Sequence, residues 1–248
     1  MQPLEEQTRA LPAAVAEPLQ QFCQTLQSAV ADQLISVMIY GGLARGEYTH
    51  GRSDVNVLLV LKEATLPVLD GVLRALGPCR LKIPLALMTL AEADLTHAAD
   101  VFAIKFLDIQ RHHLVLVGRD VCPEMNVTPE RLRRQCLREL MNLQMRLRRF
   151  YLQRSTRPEL IENTLAEMLP AFLSTLAVLV ELKTGAVPAT RADTLSAAAA
   201  LGVVPGVFQQ LLALKRGELK PGAAELRQLY AGFLDGVRAA CKLAGAGE

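Results

Sequence analysis

The sequence predicts an α/β domain followed by an all-helical bundle, and three observations carry that prediction. Short β-branched apolar runs alternate with helix-period segments as far as about residue 120. Beyond that point, segments of helical periodicity succeed one another, separated by Gly and Pro. The chain has 248 residues and is 51% hydrophobic, enough to bury one large core or two smaller ones. Its apolar weight in Leu, Ala and Val favours helix.

The elements follow in order. Leu19, Phe22, Leu26, Ala29 and Val30 recur at three- and four-residue spacings, predicting an amphipathic helix over 11–33. The run Leu34 to Tyr40 reads as a buried strand ended by Gly41-Gly42. A polar loop leads to a second strand over Asp54 to Leu61. A short helix is expected over Leu66 to Leu76 and a third strand over Leu81 to Thr89. That strand contains Pro84, which cannot donate a ladder hydrogen bond and so belongs at an edge or a strand start. Val101 to Arg111 suits a helix, with His112 and His113 at its end, and Leu114 to Gly118 a further strand.

The pattern changes near residues 119–128, which places the domains at 1–122 and 123–248. Thr128-Pro129 supplies an N-cap and a first-turn proline for a long helix to about Arg154. Leu132, Cys136, Leu140, Leu143, Leu147 and Tyr151 form its apolar stripe. Nine arginines fall between 131 and 157. They read either as a solvated bundle face or as a phosphate-backbone contact surface. Pro158 to Leu182 is nearly all apolar, with Pro170 expected to kink or break it. Three more helices are expected around 190–201, 205–215 and 222–243.

Composition narrows the function classes. The 27 Lys+Arg against 25 Asp+Glu leave a net charge of +2, unlike a strongly basic nucleic-acid clamp or an acidic tail. Trp is absent and aromatics reach 4%, which gives a base-stacking surface little to build with. The five cysteines are scattered without a Cys-x-x-Cys pair, so they read as buried thiols in a reducing compartment. The acidic N-terminus lacks a signal-peptide layout, and Leu169 to Leu182, the best candidate span, is broken by Pro170, Ser174, Thr175 and Glu181. A cytoplasmic chain without membrane contact is the expectation, with oligomeric state left open.

The most informative segment runs from Tyr40-Gly41-Gly42-Leu43-Ala44-Arg45-Gly46-Glu47 to Ser53-Asp54-Val55-Asn56. A glycine turn that starts a short helical turn can present backbone N–H groups to a phosphate. Asp54 and Asn56, two apart on a strand, share a face and set oxygen ligands beside that cradle, as a Mg²⁺-nucleotide site requires.

These residues resemble the nucleotidyltransferase superfamily that includes polymerase β, especially its small bacterial members and the aminoglycoside nucleotidyltransferases. Gly41, Ala44, Arg45, Gly46, Glu47, Ser53 and Asp54 match the family motif in order. Phe106 to Arg111 is similar to a stretch in small members. The resemblance implies an α/β nucleotidyltransferase-fold domain with a mixed sheet, followed by an all-α helical bundle domain. It also implies nucleotide binding at Gly41, Gly42, Arg45 and Ser53, and metal binding at Asp54 and Asn56.

The departures from the motif are chemical. Gly42 stands where the family has serine, Asn56 where it has a second carboxylate, and Ala86 where it has a third. Of three catalytic acids Asp54 remains. An amide contributes no negative charge toward Mg²⁺ and a methyl contributes nothing, so Mg²⁺ is expected to bind weakly, with a nucleoside triphosphate as a candidate ligand. The expected function is a pseudoenzyme with lost or impaired nucleotidyl transfer that retains nucleotide or partner binding. One alternative is an active Mg²⁺-dependent transferase acting on a small hydroxylated acceptor or a protein. A second is an RNA- or protein-binding module using the basic helix. His50 could approach a bound phosphate, whereas Asp108 and Arg111 are explained by a local i,i+3 ion pair.

Overall fold

The computed structural model describes residues 4–9, 11–49, 53–203 and 206–246. The chain forms two compact units, Met1–Val127 and Thr128–Glu248. In the first, α1 (Leu4–Thr8) and α2 (Ala13–Val30) precede β1 (Leu34–Tyr40) and β2 (Val55–Leu61). Then come α3 (Leu66–Arg80), β3 (Leu85–Ala91), α4 (Leu95–Val101), α5 (Ala103–Arg111) and β4 (His113–Gly118).

The sheet order is β3-β2-β1-β4. β1 runs antiparallel to both β2 and β4, while β2 and β3 are parallel, so the sheet is mixed. The parallel pair is joined by the α3 crossover, as parallel strands require.

Alternation of side chains divides the core into two layers. Val37, Ile39, Val57 and Leu59 pack with Leu19, Phe22 and Leu26 of α2 and with Val72 and Leu76 of α3. Met38, Leu58 and Val60 pack with Leu95 and Ala99 of α4 and with Phe106 and Ile109 of α5. A sheet covered on both faces explains why β1 and β2 read as near-continuous apolar runs, broken only by Ser36 and Asn56. Each fully buried Leu or Ile there contributes roughly 1.5–3 kcal/mol.

Three local expectations differ from the structure. β3 starts at Leu85, not Leu81, because Pro84 lacks an N–H; its carbonyl instead accepts from Val55 N at 2.8 Å. The helix expected from Val101 is two helices, and α4 reaches back to Leu95, where its polar residues hid a one-sided contact through Leu95 and Ala99. His113 does not end a helix: α5 stops at Arg111 and His113 opens β4.

The second unit is helical: α6 (Pro129–Arg154), α7 (Pro158–Thr184), α8 (Arg191–Ala200), α9 (Gly206–Arg216) and α10 (Ala223–Gly245). Thr128 caps α6 by accepting from Arg131 N, and Thr190 and Asp193 form a reciprocal capping box on α8. Phe172, Phe208 and Phe233 form its aromatic centre, with ring centroids 4.8–5.8 Å apart. Tyr230 donates its hydroxyl to the Leu147 carbonyl at 2.6 Å, tying α10 to α6.

Pro170 does not break α7, which runs through it. The uninterrupted helix is therefore long and apolar enough by length and composition to cross a membrane, contrary to the sequence expectation. Its apolar residues Leu165, Leu169, Phe172, Leu176 and Leu179 are nevertheless fully buried inside the helical unit.

Gly118 ends β4 at φ +82°, and a Cβ there would lie 1.9 Å from the Ile35 carbonyl oxygen. Both backbone strain and a backbone clash oppose any side chain. Gly118→Ala is expected to lower stability by at least about 2 kcal/mol, measured by urea unfolding.

Candidate functional site

The site is built where β1 ends and β2 begins. β1 leaves the sheet at Gly41, whose φ of +72° turns the chain sharply. Residues 41–46 form hydrogen-bonded turns where a short helical turn is expected. Arg45 N donates to Gly41 O, Gly46 N to Leu43 O and Glu47 N to Gly42 O, at 2.8–3.2 Å. These bonds leave the N–H groups of Gly42, Leu43 and Ala44 outside them. A Cβ on Gly42 would meet nothing within 4 Å, so there is open space beside this part of the turn.

Strand register aligns the residues that resemble the catalytic positions. Tyr40 lies opposite Asn56, and Asn56 opposite Ala86. Opposed residues share a sheet face, so Asn56 and Ala86 stand side by side on the face that α4 and α5 cover. Both are half-buried, whereas Asp54, just before β2, is exposed. Asn56 also packs under the turn: a Cβ on Gly41 would stand 3.1 Å from its Nδ2. The row therefore presents an amide and a methyl, with one carboxylate at its rim.

Arg45 and Ser53 are engaged within the protein. The Arg45 guanidinium donates to both Asp108 carboxylate oxygens at 2.8–2.9 Å and to Glu47 at 3.1 Å. Burial alone would pull the guanidinium pKa down, but the Asp108 and Glu47 carboxylates outweigh it and hold it above its ordinary value. Asp108 thus reaches across from α5 to Arg45, a partner that the local i,i+3 reading did not anticipate. The resemblance of Phe106 to Arg111 to a family stretch was the sequence signal for it. Burial, and then the Asp108 charge, push the Tyr40 phenol up. Lys105, one turn before Asp108, places its ammonium 5.5 Å from the Tyr40 ring centroid; sequence reasoning missed it. Ser53 closes the intervening loop, accepting from Thr49 N at 3.1 Å and donating its own N–H to Thr49 O at 2.9 Å. His50 lies outside the described residues.

These groups can do some chemistry and not other chemistry. The turn amides outside these bonds suit an anion such as a phosphate, and Lys105 adds a cation over the Tyr40 ring. The donor set does not fit a two-Mg²⁺ cluster, because Asp54 offers one carboxylate, Asn56 an amide oxygen, and Ala86 nothing. Glu47 and Asp108, the further carboxylates around the turn, are ion-paired with Arg45.

The basic helix is partly committed to its own unit. Arg154 donates to Thr164 at 3.0 Å and stacks on Phe150 at 4.1 Å, and Arg149 also lies over that ring. Arg134 pairs with Glu130 at 3.6 Å. All five cysteines are free and buried, as expected.

No protein-family model matches the chain, and no curated protein matches it by sequence. Among solved structures, it is similar to that of spectinomycin adenyltransferase AAD(9) from Enterococcus faecialis, determined with ATP and spectinomycin. The TM-score is 0.53 at 12% identity, covering 88% of this chain and 98% of that one. This likeness shows the fold: an α/β nucleotidyltransferase-fold domain followed by a helical domain.

The two turn glycines are expected to respond oppositely. Gly41→Ala meets both the positive φ and Asn56, and should cost about 1–3 kcal/mol. Gly42→Ser enters open space and should change stability by no more than about 0.5 kcal/mol. Thermal and urea unfolding of both variants checks this.

Proposed function

We propose that the chain is a nucleotidyltransferase-fold protein in which nucleotidyl transfer is lost or impaired, and that it binds a nucleoside triphosphate at the Gly41–Glu47 turn. The observation that carries this reading is the pairing of Asn56 with Ala86 on one sheet face. Metal-assisted nucleotidyl transfer needs anionic oxygens to hold the ions and to take a proton from the acceptor hydroxyl. With Asp54 as the remaining acid of the row, charge for that chemistry is lacking. The turn amides and Lys105 still suit a triphosphate, and the ATP in the structural neighbour supports this ligand class. A small hydroxylated molecule as second ligand is supported in the same way by spectinomycin there. The free buried thiols support a cytoplasmic location.

Restoring the charge tests the proposal. In the double variant Asn56→Asp, Ala86→Asp, three carboxylates would repel one another without metal, so the variant should be less stable than wild type. Saturating Mg²⁺ should then stabilise it by about 2.7 kcal/mol at a hundredfold excess over Kd. Wild type should respond little. The measurement is titration calorimetry of both proteins with Mg²⁺, alone and with ATP, together with pyrophosphate release. Wild-type binding of Mg²⁺-ATP as tight as in the double variant, or pyrophosphate release by wild type as fast as by the double variant, would overturn the proposal in favour of an active transferase.

A further inference from the structure

We propose that His113, Asp120 and Cys122 form a binding site for one transition-metal cation, with Zn²⁺ the ion that fits, which staples the segment after β4 to the first residue of β4. This goes beyond the nucleotide reading and does not depend on it. The three ligand atoms lie within 4.8 Å of one another. His113 Nε2 and Asp120 Oδ2 are 3.4 Å apart. Two ligand atoms each about 2.0–2.1 Å from a tetrahedral Zn²⁺ stand roughly 3.4 Å apart, so this separation already suits a shared ion.

The surroundings orient each ligand. His113 Nδ1 lies 2.8 Å from the Ile109 carbonyl, an orphan acceptor in the last turn of α5. The carbonyl can only accept, so that bond puts a proton on Nδ1 and makes Nε2, the nitrogen facing Asp120, the one a metal would take, the arrangement by which a backbone carbonyl orients a metal-ligating imidazole. Asp120 Oδ1 accepts from Cys122 N at 2.8 Å, so Oδ2 is the oxygen left facing His113. Gln110 of α5 donates to the Cys122 and Met125 carbonyls at 3.1 and 2.7 Å and so holds the turn that carries Cys122. Arg119, the neighbouring cation, is paired with Glu92 and Glu124. Asp120 is 44% exposed and gives an ion a way in, whereas Cys122 lies buried behind it.

The same residues do not make a nucleophilic triad. The imidazole nitrogen nearest Cys122 Sγ, at 3.6 Å, is Nδ1, which already donates to Ile109 O and cannot accept the thiol proton. One nitrogen, one sulfur and one carboxylate oxygen form a borderline-soft set suited to Zn²⁺ rather than Mg²⁺ or Ca²⁺. Three protein ligands leave the fourth position to water. Binding replaces the S–H bond by an S–Zn bond and releases that proton to solvent.

The test uses chelator-treated full-length protein under reducing conditions, titrated with Co²⁺ and then Zn²⁺. One Co²⁺ per chain should bind, giving a thiolate-to-metal absorption band in the near ultraviolet and visible bands of a four-coordinate ion, both removed by Zn²⁺. Cys122→Ser should abolish the near-ultraviolet band. Asp120→Asn, at an exposed side chain, should weaken Zn²⁺ affinity by roughly 10- to 100-fold without lowering metal-free stability. Cys241→Ser, at a cysteine outside the cluster, should leave the spectrum unchanged. A missing thiolate band at stoichiometric Co²⁺, a band that survives Cys122→Ser, or Zn²⁺ affinity unaffected by Asp120→Asn would each overturn the proposal.

Discussion

The first unit depends on β1 being hydrogen-bonded along both edges and buried on both faces. A strand so placed cannot slip, because a shift of one residue would exchange its two apolar faces and unpair both ladders. Val37 and Ile39 are committed to the α2–α3 layer and Met38 to the α4–α5 layer. With β1 held, the registers of β2 and β4 are held, and through β2 that of β3. The row Ala86, Asn56, Tyr40, His113 follows directly from this one constraint.

The turn after β1 inherits that rigidity. Gly41 leaves the strand with a positive φ and brings its backbone down onto Asn56. Arg45 then ties the turn to α5 through Asp108. Both side chains of this pair are substantially exposed, so the bond is worth about 1 kcal/mol or less. Its contribution is geometric: it ties the turn to the helix that carries Lys105. It also neutralises a carboxylate that would otherwise add negative charge at the site. Packing and ladder hydrogen bonds hold the row regardless of what charge its side chains carry.

α5 serves two places at once. Phe106 and Ile109 bury its apolar face against the sheet, which frees the remaining residues for polar work. Asp108 points to the turn after β1, whereas Gln110 engages the segment after β4 and the Ile109 carbonyl engages His113 at the start of β4. A nine-residue helix thus joins the sequence-legible site to a cluster that no local pattern announced.

The sequence by itself determined the order of the four strands, the glycine turn, and the amide and methyl side chains of Asn56 and Ala86. These are legible because periodicity, β-branching and turn chemistry act over a few residues. Leu34–Tyr40 is legible to the residue because its burial on both faces leaves an apolar run with Ser36 as its one polar side chain. Only tertiary structure decided that α7 continues through Pro170, since packing around Phe172 outweighs a local breaker. Only register decided that Ala86 stands beside Asn56, thirty residues away in sequence. Likewise, Arg45 found Asp108 and His113 found Asp120 through pairings that folding, not spacing, brought within reach. Long-range partners of polar side chains depend on where the sheet places them, and no window of sequence carries that information.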